Sequence, residues 1–214
     1  MSFHFIIVLL FVVSYLLGSI PTAYLVSRFM FGQDIRQHGS HNVGGANAFR
    51  LYGKKAFLIV GIVDVFKGTF SIIITKSIMS NSTITYGVFA NIHNVLALCG
   101  FFAVLGHCFS LYLKFAGGKG GGTTFGILIA LHPLIALYIF IFWMAIVTTT
   151  RFTSLGNLLT LPFVAILLQI MMPDPAYYWL GIMLTILIYF KHRENISRLI
   201  NGIERKWGEK EITI

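Results

Sequence analysis

Long blocks of apolar residues decide what this chain can fold into: Phe5 to Leu17, Phe57 to Ile74 with Asp64 and Lys67 as interruptions, and Ile135 to Val147. A half-buried strand would alternate apolar and polar residues, and a lipid-facing barrel would do the same; these blocks do not. Helices remain. A bilayer core takes about 20 helical residues to cross, so each block, with its flanks, reads as a spanning helix. Composition excludes a soluble globule. Hydrophobic residues make up 57% of the 214 and charged ones 11%, with mean hydropathy +0.82, which leaves too little charge to cover a protein of this size. The expectation is an all-α integral membrane protein, a single membrane-embedded domain over residues 1–214.

The first block continues through Gly18-Ser19-Ile20-Pro21 to Tyr24-Leu25-Val26 and lacks a basic leading region, so it reads as an uncleaved first span rather than a signal peptide. Arg28, Arg36, Arg50, Lys54 and Lys55 cluster around the first long loop, which places that loop in the cytoplasm and the N-terminus outside. Span two, about Ala56 to Ser77, runs outward, and span three, about Thr85 to Leu105, returns. Were Gly126 to Val147 one helix, Arg151 and the basic tail from Lys191 would both end outside. A break at His132-Pro133 gives two short helices, about Thr123 to Leu131 and Leu134 to Val147, and restores both to the cytoplasm. This pair either crosses or forms a re-entrant hairpin. Span six, about Thr153 to Met171, and span seven, about Tyr177 to Phe190, complete about seven transmembrane helices, two of them short, with the C-terminus cytoplasmic. Beyond them Ile196, Leu199, Ile200, Ile203 and Trp207 recur at helical spacing against Arg198, Glu204, Arg205 and Lys206. That pattern makes 192–214 an amphipathic cytoplasmic tail whose apolar stripe either lies on the inner leaflet or packs against the protein, packing being the simpler use.

Three polar patches fall on the cytoplasmic side of this arrangement. The first runs from Gly39 to Arg50 and offers Ser40, Asn42, Gly44, Asn47 and Arg50; the second joins Gly106-His107 to Gly117-Gly118-Lys119-Gly120-Gly121-Gly122-Thr123; the third is Lys191-His192-Arg193-Glu194-Asn195-Ile196. Glycine lets backbone N–H groups turn around an anion, Lys and Arg supply charge, and Asn and Ser add directed hydrogen bonds. The combination points to chemistry on a phosphate at a membrane surface. The second patch is no nucleotide loop, because Gly118-Lys119 is followed by Gly120 rather than Ser or Thr and position 113 is Leu. Thr123 can open a helix whose N–H groups face the same anion as Lys119. His107 can donate a hydrogen bond or act as a base near neutrality. Asp64 and Lys67, at i and i+3, can pair within the second span. Cys99 and Cys108 lie nine residues apart on one span and read as core residues, and neither Cys nor His shows metal-ligand spacing.

The order of these motifs resembles the bacterial acyl-phosphate:glycerol-3-phosphate acyltransferase family (PlsY type) over nearly the whole chain. Leu17-Gly18-Ser19-Ile20-Pro21-Thr22-Ala23-Tyr24-Leu25 is similar to the family's first-span signature. Asp34-Ile35-Arg36 through Gly39-Ser40, Asn42, Gly44, Asn47 and Arg50 resembles its first loop, and Asp64 with Lys67-Gly68 its second-span signature. Gly106-His107, Phe109 and Gly117-Gly118-Lys119-Gly120 resemble the second motif, and His192-Arg193, Asn195-Ile196, Arg198-Leu199 and Gly202 the third.

The resemblance implies an enzyme without cofactor or metal in the bacterial plasma membrane, its site facing the cytoplasm. It would move a fatty acyl group from acyl phosphate to the 1-hydroxyl of sn-glycerol 3-phosphate, releasing lysophosphatidic acid and phosphate as the first step of phospholipid synthesis. Its partners would be those two substrates, membrane lipid and an enzyme that forms acyl phosphate, with no nucleic acid. Acyl phosphate is already activated, so holding two phosphates and aligning the hydroxyl supplies much of the catalysis. On this reading His107, Lys119 and Arg50 are catalytic. Lys119 and Arg50, with glycine N–H groups, neutralise phosphate, and His107 acts at the reacting centre. Ser40, Asn42, Gly44, Asn47, Gly117, Gly118, Gly120, His192 and Asn195 bind substrate, and the leaving phosphate takes the hydroxyl proton. The chain departs from the family pattern at His41 and Gly45-Ala46 and at Gly121-Gly122, where Val-Ala is usual. The rival reading is an organic-anion or phosphate transporter or channel, which should show internal repeats; the sequence shows none.

Overall fold

The computed structural model of the chain describes residues 3–80 and 91–209, and among them every regular element is helical. α1 (Phe3–Ser19) and α2 (Thr22–Phe31) are one apolar stretch interrupted at Pro21, which has no N–H to continue the ladder. Gly32, at φ 68°, ends α2 by returning its N–H to the Arg28 carbonyl. α3 (Gly45–Ser80) is broken at Gly53 (φ 79°, ψ −166°) into a short arm, 45–52, and a long apolar part, 54–80. α4 (Ile92–Cys108) is capped by the side chain of Asn91; the expected start of this span at Thr85 lies outside the described residues. α5 (Gly121–Leu131), α6 (Pro133–Thr150), α7 (Thr153–Met171, with Pro162 inside it), α8 (Pro175–Lys191) and α9 (Arg193–Ile200) follow.

The break at His132-Pro133 falls where the sequence puts it, but only one of the two helices is short. α5 has 11 residues, whereas α6 has 18 and is long and apolar enough to cross a membrane. α6 outruns its expected end at Val147 because Thr148, Thr149 and Thr150 bond their hydroxyls back to carbonyls of the preceding turn, and it stops at Arg151, at φ 65°. Among the described residues five segments are long and apolar enough to cross: 4–31, α3, 92–113, α6 and α7. The expected seven also counts α5 and the 17-residue α8.

The tail is corrected as well. The helix ends at Ile200, Gly202 adopts φ 70°, and the Ile203 N–H returns to the Arg198 carbonyl, so residues 201–209 run as turns. Trp207 leaves the expected stripe to stack on Phe49 (ring centroids 4.2 Å apart) and meet Phe57 edge-on (4.8 Å). Ile200 and Ile203 stay exposed.

With lipid as solvent, helices associate by close packing, which small residues permit. α1 lies against α4 where Gly106 meets the Tyr15 carbonyl, and α3 lies against α5 where Gly68 meets the Thr123 carbonyl and Gly126 meets that of Val65. Thr69 Oγ1 ties the second crossing by donating to the Gly126 carbonyl at 2.9 Å. Ile72, Ile127, Leu180 and Leu184 fill the core between α3, α5 and α8, and the free thiols of Cys99 and Cys108 are buried on α4. A Cβ at Gly126 would collide with the Val65 carbonyl. Gly126→Val is therefore expected to cost about 3 kcal/mol or more and to abolish the monodisperse peak in detergent size-exclusion chromatography; a wild-type profile would show the crossing to be slack.

Candidate active site

The first loop is organised from within by Asn47, a residue with no exposed surface. Its Oδ1 accepts from the Ser40 N–H at 2.9 Å, and its Nδ2 donates to the carbonyls of His38, Asn42 and Ile35 at 3.1, 3.2 and 3.3 Å. With both ends of the amide used this way, Asn47 shapes the loop and does not line the cavity described below, contrary to its expected role as a substrate ligand. His41 is exposed, adopts φ 57° and places Nδ1 2.8 Å from the Arg36 carbonyl, so this departure from the family pattern points away from the site. The Arg36 guanidinium on Asp34, 2.6 Å away, holds that carboxyl at about 2 and fixes the turn at the loop's start.

The second patch folds back on the end of α4. The Gly118 N–H donates to the His107 carbonyl at 2.9 Å, and a Cβ at Gly117 or Gly118 would strike His107 itself. These two glycines therefore permit close packing rather than lining the cavity. Gly120, at φ 87°, starts α5 and does line it. His107 is buried, with Nδ1 3.2 Å from Thr123 Oγ1 and 3.4 Å from Lys67 Nζ. Lys67 also pairs with Asp64 Oδ1 at 2.7 Å and donates to the Ile20 carbonyl at 2.8 Å, and Thr22 Oγ1 donates to the same Asp64 oxygen. An ammonium has only protons to give, so the Nδ1 lone pair of His107 faces Lys67, and the ring proton sits on Nε2.

In the third patch His192 is buried, and burial pushes it down to about 4, so it is neutral at pH 7. Asn195 accepts from Lys119 Nζ through Oδ1 and donates to Glu204 Oε1 at 2.6 Å. Glu204 also accepts from Ser154 Oγ and Arg198 Nε, each at 2.8 Å. Burial, then the charge of Arg198, lowers Lys119 to about 8. Lys191 is half-buried and donates to the Cys108 carbonyl at 2.8 Å over the ring of Phe109, whereas Arg193 is exposed and lies over the ring of Phe190.

These parts enclose one cavity of about 400 Å³. Ser40, Asn42, Gly44, Arg50, His107, Lys119, Gly120, His192 and Asn195 all reach its wall, from three separated stretches of sequence. Its polar end also carries Arg198 and Arg205, while Phe57, Phe125, Leu128, Phe140 and Val164 make the rest apolar. Arg50, Lys119, Arg198 and Arg205 outnumber the two acids on the wall, Asp64 and Glu204, so the wall carries net positive charge. Among the described residues no group of three or more His, Cys, Asp or Glu could hold a metal ion. Sequence reasoning missed Ser154, Asn157 and Glu204 as wall residues. The first two are single polar residues inside an apolar span, and Glu204 was read as the polar face of a helix that ends before reaching it.

A bundle of membrane-length helices with a cleft cationic at one end and apolar at the other defines a class: an integral membrane protein whose cleft suits an anionic group joined to an apolar chain. The family model described as glycerol-3-phosphate acyltransferase matches residues 8–202, and the chain belongs to that family. A glycerol-3-phosphate acyltransferase of Carboxydothermus hydrogenoformans is 35% identical over 208 residues, covering 96% of this chain and 98% of the relative. Glycerol-3-phosphate acyltransferase 2 of Bacillus cereus is 38% identical over 198 residues, covering 92% and 93%. Two crystal structures of PlsY (YgiH), an integral membrane glycerol 3-phosphate acyltransferase, share the fold. The glycerol 3-phosphate form superposes with TM-score 0.84 at 31% identity, covering 94% of this chain and 96% of that one. The lysophosphatidic acid form gives 0.81 at 30%, covering 95% and 96%.

Proposed function

We propose that the protein transfers a fatty acyl group from acyl phosphate to the 1-hydroxyl of sn-glycerol 3-phosphate, giving 1-acyl-sn-glycerol 3-phosphate and inorganic phosphate, at the cytoplasmic face of the bacterial plasma membrane. The observation that carries this reading is a cavity of about 400 Å³ in which Arg50 and Lys119 share a wall with Phe57, Phe125, Leu128, Phe140 and Val164. The hydroxyl oxygen attacks the acyl carbon, the bond from that carbon to the phosphate oxygen breaks, and the leaving phosphate takes the hydroxyl proton. Lys119 and Arg50 neutralise phosphate, Ser40, Asn42, His192 and Asn195 position the acceptor, and His107 acts at the reacting centre. Basic residues cluster at the ends of the helices that carry the site, which supports a cytoplasmic orientation. Since acyl phosphates hydrolyse readily, an enzyme that forms them is the natural partner.

The test is phosphate release by purified protein supplied with palmitoyl phosphate and glycerol 3-phosphate, with acyl-CoA as the competing donor. Release that needs both substrates, accompanied by lysophosphatidic acid, is expected; a folded sample that binds either phosphate but consumes neither would point to transport instead. The pH profile gives a second check. If the Lys119 ammonium binds phosphate, kcat/KM reports the free enzyme, whose Lys119 loses its proton as pH rises through about 8. The rate constant should be level at pH 7 and fall about tenfold per unit above the break, although glycerol 3-phosphate, whose second pKa is about 6, stays a dianion throughout. A profile flat to pH 10 would remove Lys119 from that role.

A further inference from the structure

One amide on the cavity wall serves none of the roles assigned above. Asn157, on α7, accepts through Oδ1 from the indole Nε1–H of Trp143, on α6, at 2.8 Å. An indole nitrogen only donates, so the carbonyl side of the amide is committed to Trp143 and its NH2 side faces away. That NH2 lies 3.4 Å from Nε2 of His192. On the far side of the same ring, Nδ1 is 2.9 Å from the carbonyl oxygen of Ile188, which only accepts. Two groups of fixed polarity thus bracket the imidazole and demand one tautomer, with the proton on Nδ1 and the lone pair on Nε2. The arrangement has little slack, since a Cβ at Gly121 would sit 3.3 Å from the Asn157 nitrogen. Lys119 and Glu204 face the ring with opposite charges from the α4–α5 loop and the C-terminal segment.

We propose that Asn157 is a positioning residue: aimed by Trp143 and given room by Gly121, it holds His192 as the Nδ1–H tautomer, so that Nε2 offers a lone pair to a hydroxyl of the acceptor substrate. At 3.4 Å the contact from Asn157 is long, and an arriving hydroxyl can replace it. His192 then accepts a hydrogen bond as a neutral ring instead of adding a further cation beside Lys119. The clause about the hydroxyl rests on the acyl-transfer reading; the tautomer does not.

The experiment is 15N spectroscopy of full-length, histidine-labelled protein in nanodiscs without substrate, with His192 assigned by loss of its signals in His192→Gln. A pyridine-type Nε2 and a pyrrole-type Nδ1 are expected. Asn157→Asp, which can only accept, should protonate Nε2, and Trp143→Phe, which frees the amide to flip, should mix the two tautomers. Gly121→Ala crowds the amide without adding charge and should raise KM for glycerol 3-phosphate about tenfold, with a smaller change in kcat and none in KM for acyl phosphate. A protonated Nε2 in the wild type, or unchanged His192 signals in Asn157→Asp, would overturn the proposal. An unchanged KM in Gly121→Ala would overturn the positioning role. The expected spectra from a protein that acylates nothing would instead overturn the hydroxyl clause together with the acyl-transfer reading, and leave the tautomer standing.

Discussion

Lys119→Ala is expected to lower kcat/KM for glycerol 3-phosphate by about 10²- to 10³-fold, the range seen when one preorganised donor is removed from a reacting centre. The ammonium stands on a half-buried loop, reaches Asn195 and borders the cavity together with Arg50 and Arg198. Partial desolvation makes its charge count for more there than at an open surface. Lys119→Arg is expected to recover little, because a planar fork cannot take the place of a compact ammonium between Asn195 and the glycines that flank it. Neither variant should disturb the fold, as the side chain crosses no helix packing. The measurement is steady-state phosphate release, with size-exclusion profiles run in parallel; activity in Lys119→Ala within threefold of wild type would sink the assignment.

Glu204→Ala should act differently, through stability first. Its carboxylate receives Ser154, Asn195 and Arg198 and is largely shielded from solvent. Removing the carboxylate leaves Arg198 only its longer contact with Glu194, 3.9 Å away, and Asn195 free to turn its amide, at a cost of about 3 kcal/mol. Because Asn195 also receives Lys119, activity should fall with stability. A lowered unfolding midpoint in detergent, partly recovered in Glu204→Gln, is the expected result. An unchanged midpoint would mean that the carboxylate holds nothing in place.

Much of this was legible in the sequence, for reasons that differ by element. Apolar blocks announce spanning helices because lipid forbids unpaired backbone, and the break at Pro133 follows from a missing donor. Nine of the twelve site residues named from sequence reach the cavity, since cations and amides among glycines have few other uses at a membrane surface. Asn47, Gly117 and Gly118 were misplaced because the same residue types also build tight loops, and only coordinates separate the two uses. The reach of α6 past Val147 depends on threonine hydroxyls bonding within their own helix, a weak local signal. The end of α9 depends on Gly202 at φ 70°, and the loss of Trp207 from the helical stripe follows from aromatic partners on α3, about 150 residues earlier, which no local pattern can reveal.

The short run 201–209 pins Glu204 to α7 and α9, Trp207 to α3, and the Trp207 N–H to the carbonyl of Arg151 at the end of α6. Every helix among the described residues precedes this run in the chain, so the spans can enter lipid while one wall of the cleft is still unwritten. The scaffold is set by the packing of the spans, and the cleft is closed only where residues 201–209 return to it, a few side chains there fastening together elements that lie far apart in the chain.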